Sequence, residues 1–124
     1  MKNNKHFKKM EQMIGNQDIN YTNAGFNNGA IKAFLSWRES VSYKEQIPAL
    51  TLDILETDIP DFLDTLKTAG FTEFVLATRN SGIIDDIHIL LSEGCSFQGP
   101  VTIQRFSRYH NEMFTIHGLV FSLN

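Results

Sequence analysis

The chain is poor in the residues that staple, anchor or cradle. Its 124 residues include one cysteine, Cys95, and three prolines. A single thiol rules out an internal disulfide, and a reducing, cytoplasmic setting is expected. No apolar run approaches the roughly 18 residues of a membrane span, so no membrane partner is expected. The opening stretch MKNNKHFKKMEQMIG has lysines but no apolar segment after them, which argues against a secretory signal. Neither G-x-G-x-x-G nor G-x-x-x-x-G-K-[ST] occurs, so the common nucleotide-phosphate loops are missing. There is no basic stripe either. Arg105, Arg108 and Tyr109 form only a small basic-aromatic group, and direct nucleic-acid binding is not expected.

What is present is acid, placed unevenly. The net charge is −3. Four lysines (Lys2, Lys5, Lys8, Lys9) stand near the start. Nine acids lie between residues 53 and 93, against only Lys67 and Arg79. Such a segment repels nucleic acid and attracts basic partners.

Periodicity supplies the elements. Phe7, Met10 and Ile14 fall on one face of a short basic N-terminal helix. The Gly- and Asn-rich stretch at residues 15–29 predicts a loop. Residues 1–27 therefore read as an N-terminal helix and loop, and residues 28–124 as a single α/β domain. A helix is predicted over 28–43, with Ile31, Phe34, Leu35, Trp37 and Val41 on its apolar arc. ALTLDIL (49–55) alternates like a strand, and Leu55 suggests a partly covered second face. Residues 57–70 have a cap at Thr57 or Asp58, Pro60 in the first turn and Gly70 at the end. Between them Ile59, Phe62, Leu63 and Leu66 repeat at helical spacing. Residues 71–78 suit a central strand buried on both faces. A helix over 82–93 follows, then strands at 100–106 and 113–121 joined by a hairpin. The order predicts a small α/β sandwich: a mixed sheet of about four strands in βαβαβ order, an antiparallel C-terminal hairpin, and helices on its faces.

The junction ATRNSGIIDD (77–86) lies where a phosphate could sit, between strand and helix. Asp85 and Asp86 in the first helical turn already satisfy the helix dipole and would repel an anion. Ser81 is expected as the N-cap. On this helix Ile83, Ile84, Ile87, Leu90 and Leu91 form an apolar arc. Ile89 falls opposite, among acids, and is expected to face outward as an apolar contact in a charged face. His88, Cys95, His110 and His117 are spaced unlike a zinc motif, so neither a metal nor any other cofactor is expected. His110 and Glu112 lack a nucleophile beside them, and no enzyme activity is expected.

From Ser36 onward, SWRESV, PALTLDI, FLDTLKTAGFTEFVLAT and SGIIDDIHILLSEGC resemble a family of small proteins of phages, plasmids and conjugative elements of Gram-positive bacteria. Such elements also encode anti-CRISPR inhibitors of Cas9. The resemblance implies a non-enzymatic protein-binding module, most concretely an anti-CRISPR acting on Cas9 or its guide-RNA complex. Asp61, Asp64, Asp85, Asp86, Ile89 and Glu93 are the expected partner-binding residues. The alternative is a small-molecule or nucleotide-binding domain using the carboxyl ends of the strands, near Glu56–Asp58 and Thr78–Gly82.

Overall fold

The structure, a computed structural model, describes residues 1–15 and 25–124. Most of the expected loop at 15–29 lies outside the described residues. Four α-helices are described: α1 (Lys5–Ile14), α2 (Asn28–Ser42), α3 (Ile59–Thr68) and α4 (Ile83–Ser92). The strands are β1 (Ala49–Leu50), β2 (Glu73–Leu76), β3 (Ser96–Ser107) and β4 (Glu112–Ser122). They form one mixed sheet in the order β1-β2-β4-β3. β1 and β2 are parallel, and β4 runs antiparallel to both of its neighbours. This is a small α/β fold, as the element order predicted. The last strand does not extend the sheet outward, however. It inserts between β2 and β3, which leaves β3 at the edge.

Local signals start three of the described helices and end one. Asn4 caps α1 by accepting from the Phe7 amide at 3.1 Å, and Asn27 caps α2 by accepting from Ala30 at 2.8 Å. Pro60 occupies the first turn of α3, where its missing N–H costs nothing. Gly70, at φ +89°, ends that helix as expected. Ile59, Phe62, Leu63 and Leu66 are all buried, so the predicted stripe is the packed one.

Buried residues of all four helices join Leu50, Phe74, Leu76 and Phe121 from one sheet face in the main core. Among the described residues the helices pack mainly on this face. The opposite face carries a smaller cluster of Ala49, Val75, Ala77 and Ile116, flanked by Ile47, Val101, Ile103 and Val120. β2 is buried on both faces, as its continuous apolar run predicted. Helix α1 docks firmly. Phe7 stacks on Trp37 with ring centroids 5.3 Å apart. Trp37 Nε1 donates to the Met1 carbonyl at 2.7 Å, and Asn4 Nδ2 donates to the Ala69 carbonyl at 2.8 Å.

Two expectations fail in detail. The strand predicted at 49–55 pairs only at Ala49 and Leu50. The chain then leaves the sheet towards a 3-10 turn at Glu56–Asp58. Leu55 does not mark a covered face, because it is 67% exposed. Ser81 does not cap α4; Gly82 holds that position, without a side-chain hydrogen bond.

The second sheet face is closed by a charge. On β3, Val101, Ile103 and Arg105 alternate onto that face, and Arg105 is only 2% exposed. Its guanidinium donates to Glu45 at 3.0 and 2.8 Å and also to Glu39. The Tyr43 ring lies 4.6 Å from its central carbon. Glu39 sits on α2, and Glu45 lies in the segment leading into β1. The side chain therefore links the β3 edge of the sheet to the end of α2 and the approach to β1. Burial alone would make the guanidinium easier to deprotonate. The hydrogen bonds and charges of Glu45 and Glu39 outweigh that and hold it more firmly protonated than usual.

Candidate functional site

The early exit of β1 from the sheet opens a crevice at the carboxyl ends of β1 and β2, a usual ligand position in open α/β sheets. A cleft of about 510 Å³ lies there, lined by Asp53, Glu56, Asp58, Asn80, Asp86 and Lys32, among others. Leu55 stands at its rim. Close packing of α2 onto α3 forms one wall. A Cβ added to Gly29 would land on the Asp58 carbonyl oxygen and 2.6 Å from the Phe62 nitrogen, so glycine lets the two helices touch.

Asp86 is the chemically unusual group. It is 2% exposed, and Asn80 Nδ2 donates to it over a long 3.4 Å. On its inner side it borders Leu50, Ile54, Ile59, Phe62 and Leu90. Burial in that apolar setting pushes its carboxyl above the usual range. The Asn80 hydrogen bond opposes the shift, and the negative charges of Asp85 and Asp53 add to it. Asn80 Oδ1 and Thr78 Oγ1 are buried without a hydrogen-bond partner. Lys32 lines the same cleft and makes no ion pair among the described residues. The site thus holds several acceptors and carboxylates against one cation, a set that favours an N–H-rich cationic group.

A second cleft, of about 470 Å³, lies on the other side of the same strand ends. It shares Asp53 and Asn80 with the first and adds Thr51, Ala77, Arg79, Phe114 and Ile116. Ala77 and Ile116 are buried beneath it, and Phe114 is 40% exposed. Arg79 is exposed, with no ion pair among the described residues.

The expected partner-binding residues do not share one cleft. Asp61 and Asp64 line a separate groove with His6, Met10 and Thr68. Asp85 and Glu93 are exposed, while Asp86 is turned inward. The expectation of an outward Ile89 is corrected, because it is half-buried and packs against the main core. Ile84, at 72%, and Leu91, at 52%, face out instead. The buried Asp86 explains the rotation, since it lies on the inward stripe with Ile83, Ile87 and Leu90. Sequence reasoning placed the acid outside because acids are seldom buried unpaired. Its helical phase with Ile83 and Leu90 was the available signal. The alternative location, Glu56–Asp58 and Thr78–Gly82, does coincide with the first cleft.

Cys95 is free and buried. His88 is exposed. Among the described residues no three His, Cys, Asp or Glu side chains gather as metal ligands, so His88, Cys95, His110 and His117 do not converge. No helix among the described residues is long and apolar enough to cross a membrane.

No curated protein and no solved structure matches the chain. A family model described as a domain of unknown function, DUF7698, matches residues 32–123. That description makes no link to mobile elements or to anti-CRISPR proteins. The match covers β1 to β4, helices α3 and α4, and all but the first turn of α2, so both clefts lie largely within it. The chain belongs to the DUF7698 family.

Proposed function

We propose that this protein is a non-enzymatic binding module that takes a basic side chain of a protein partner into the acid-lined cleft at the strand ends. One observation carries the reading: a buried carboxylate, Asp86, meets the cleft beside Asn80, whose Oδ1 has no hydrogen-bond donor. A buried acceptor without a donor is costly, and a lysine or arginine head group would satisfy it. Leu55, 67% exposed at the rim, would meet apolar neighbours of that side chain. Partners with lysine- and arginine-rich grooves fit this chemistry. RNA-guided nucleases are the first to test, on the strength of the resemblance noted in the sequence.

The experiment is titration of a lysine- and arginine-rich peptide, and separately of Cas9 with its guide RNA, against wild type and Asp53→Asn/Asp86→Asn. Binding that weakens with salt and falls by about ten-fold or more in the variant supports the cleft. Binding unchanged in the variant overturns it. Inhibition of Cas9 cleavage, lost in the same variant, would identify the partner as the nuclease.

A second reading rests on Arg79 and the second cleft. An exposed cation, an apolar floor and the shared Asn80 and Asp53 suit a small zwitterion with an apolar side chain. Thermal shifts with L-phenylalanine, 3-phenylpropionate and phenethylamine test it. Stabilisation by the first alone supports an amino-acid site, and no shift with any of the three removes this reading.

A further inference from the structure

We propose that the free edge of β3 pairs with β3 of a second copy, so that two four-stranded sheets join into one. Among the described residues β3 is the longest strand, at 12 residues, and it ends the sheet. A strand edge presents unpaired N–H and C=O groups, and folded proteins usually blunt such edges with lysine, proline or a bulge. Here the blunting is confined to the first half, where a register shift falls between Phe97 and Gly99 and Pro100 follows. From Val101 to Ser107 there is no proline, glycine, lysine or acid. The single charge in that stretch, Arg105, is turned under the sheet and neutralised by Glu45 and Glu39.

The sequence of the edge says what it fits. Pro100, Thr102, Gln104 and Phe106 share the sheet face that the helices leave bare beyond Leu119, and all four are exposed. In an antiparallel twofold pairing centred on Ile103, Thr102 faces Gln104 of the second copy and Pro100 faces Phe106. Polar groups then meet polar groups, and a ring meets a ring. No like charges are brought together, although each copy carries a net charge of −3. An isologous contact of this kind closes on itself, so the product is a dimer rather than a fibre.

The test is sedimentation of the intact protein across a range of concentrations, compared with Thr102→Lys/Gln104→Lys. The wild type is expected to reach twice its 14.1 kDa mass, and the variant to stay monomeric with an unchanged circular-dichroism spectrum. The two lysines reduce the net negative charge, which by itself favours association, so dissociation reports the edge. Ser42→Lys/Ser92→Lys, on the helices, should still dimerise. A wild type that stays monomeric overturns the proposal. A dimer that survives lysines at the edge, or that the helix lysines dissolve equally, overturns it as well.

Discussion

Arg105 and Glu45, sixty residues apart in sequence, are joined by two charge-assisted hydrogen bonds of 3.0 and 2.8 Å. One lies on the edge strand β3 and the other just before β1. Their pairing ties β3 to the segment that leads into β1. Cutting the guanidinium away strands two carboxylates, one of them half-buried, next to apolar surface. Arg105→Ala is therefore expected to cost about 3 kcal/mol, near the low end for broken buried pairs because Glu39 is partly exposed. Arg105→Lys keeps the charge but loses the fork and should fall between. Urea denaturation measures both, and a loss below about 1 kcal/mol for the alanine would show that the hairpin is held by apolar contacts instead.

Asp86 gives a stability change with a definite pH sign. Its carboxyl is held above the usual range by burial, so the folded chain binds this proton more tightly than the unfolded chain. Stability from this group is complete in acid and is lost as pH rises from the ordinary carboxylate range through the raised value. Asp86→Asn removes that loss. Its melting temperature at neutral pH should exceed that of wild type. The difference should shrink to nothing below the ordinary carboxylate range. A variant less stable than wild type at neutral pH would mean that the carboxylate is already satisfied in the fold.

Gly29 and Gly82 form a matched pair for testing the wall of the cleft. A methyl group at Gly29 collides with the backbone of α3, whereas at Gly82 the nearest atom is Asn80 Oδ1 at 3.8 Å. Gly29→Ala is expected to destabilise by about 2 kcal/mol or more, since backbone yields less easily than a side chain. Gly82→Ala should stay within about 0.5 kcal/mol of wild type. Equal effects in chemical denaturation would show that α2 and α3 do not pack this closely.

Cys95 is expected to resist thiol reagents. Burial raises its thiol above the usual value, against the pull of nearby Lys67 and with a further push from Glu93. The thiolate is the reactive form, so labelling of the native protein at neutral pH should be slow and should become complete in denaturant. Native labelling as fast as that of a free thiol would place Cys95 outside the core.

How far the sequence could be read follows from which residues obey a simple period. Helix α3 and strand β2 were legible because Ile59 to Leu66 and Phe74 to Ala77 are apolar wherever they are buried. Helix α4 was misread because its inward stripe contains a carboxylate, and polarity outvoted phase. β1 was overextended because Leu50, Leu52 and Ile54 alternate like a strand although the chain has already left the sheet. The Arg105 cluster was seen only as a small basic group. Its role depends on Glu39 and Glu45, which no local spacing connects to β3. The location of the cleft was legible from topology, since strand ends at a βαβ unit converge. Its buried acceptors were not, because hydrogen-bond satisfaction is a property of the folded chain.

Helix α1 lies outside the segment shared with the family, yet Phe7 is fully buried against Trp37 and Phe34. Remove it, and two large aromatic rings of α2 lose their cover. A family member without a counterpart to α1 must therefore shield that aromatic surface with another segment, or recruit a neighbour to do so.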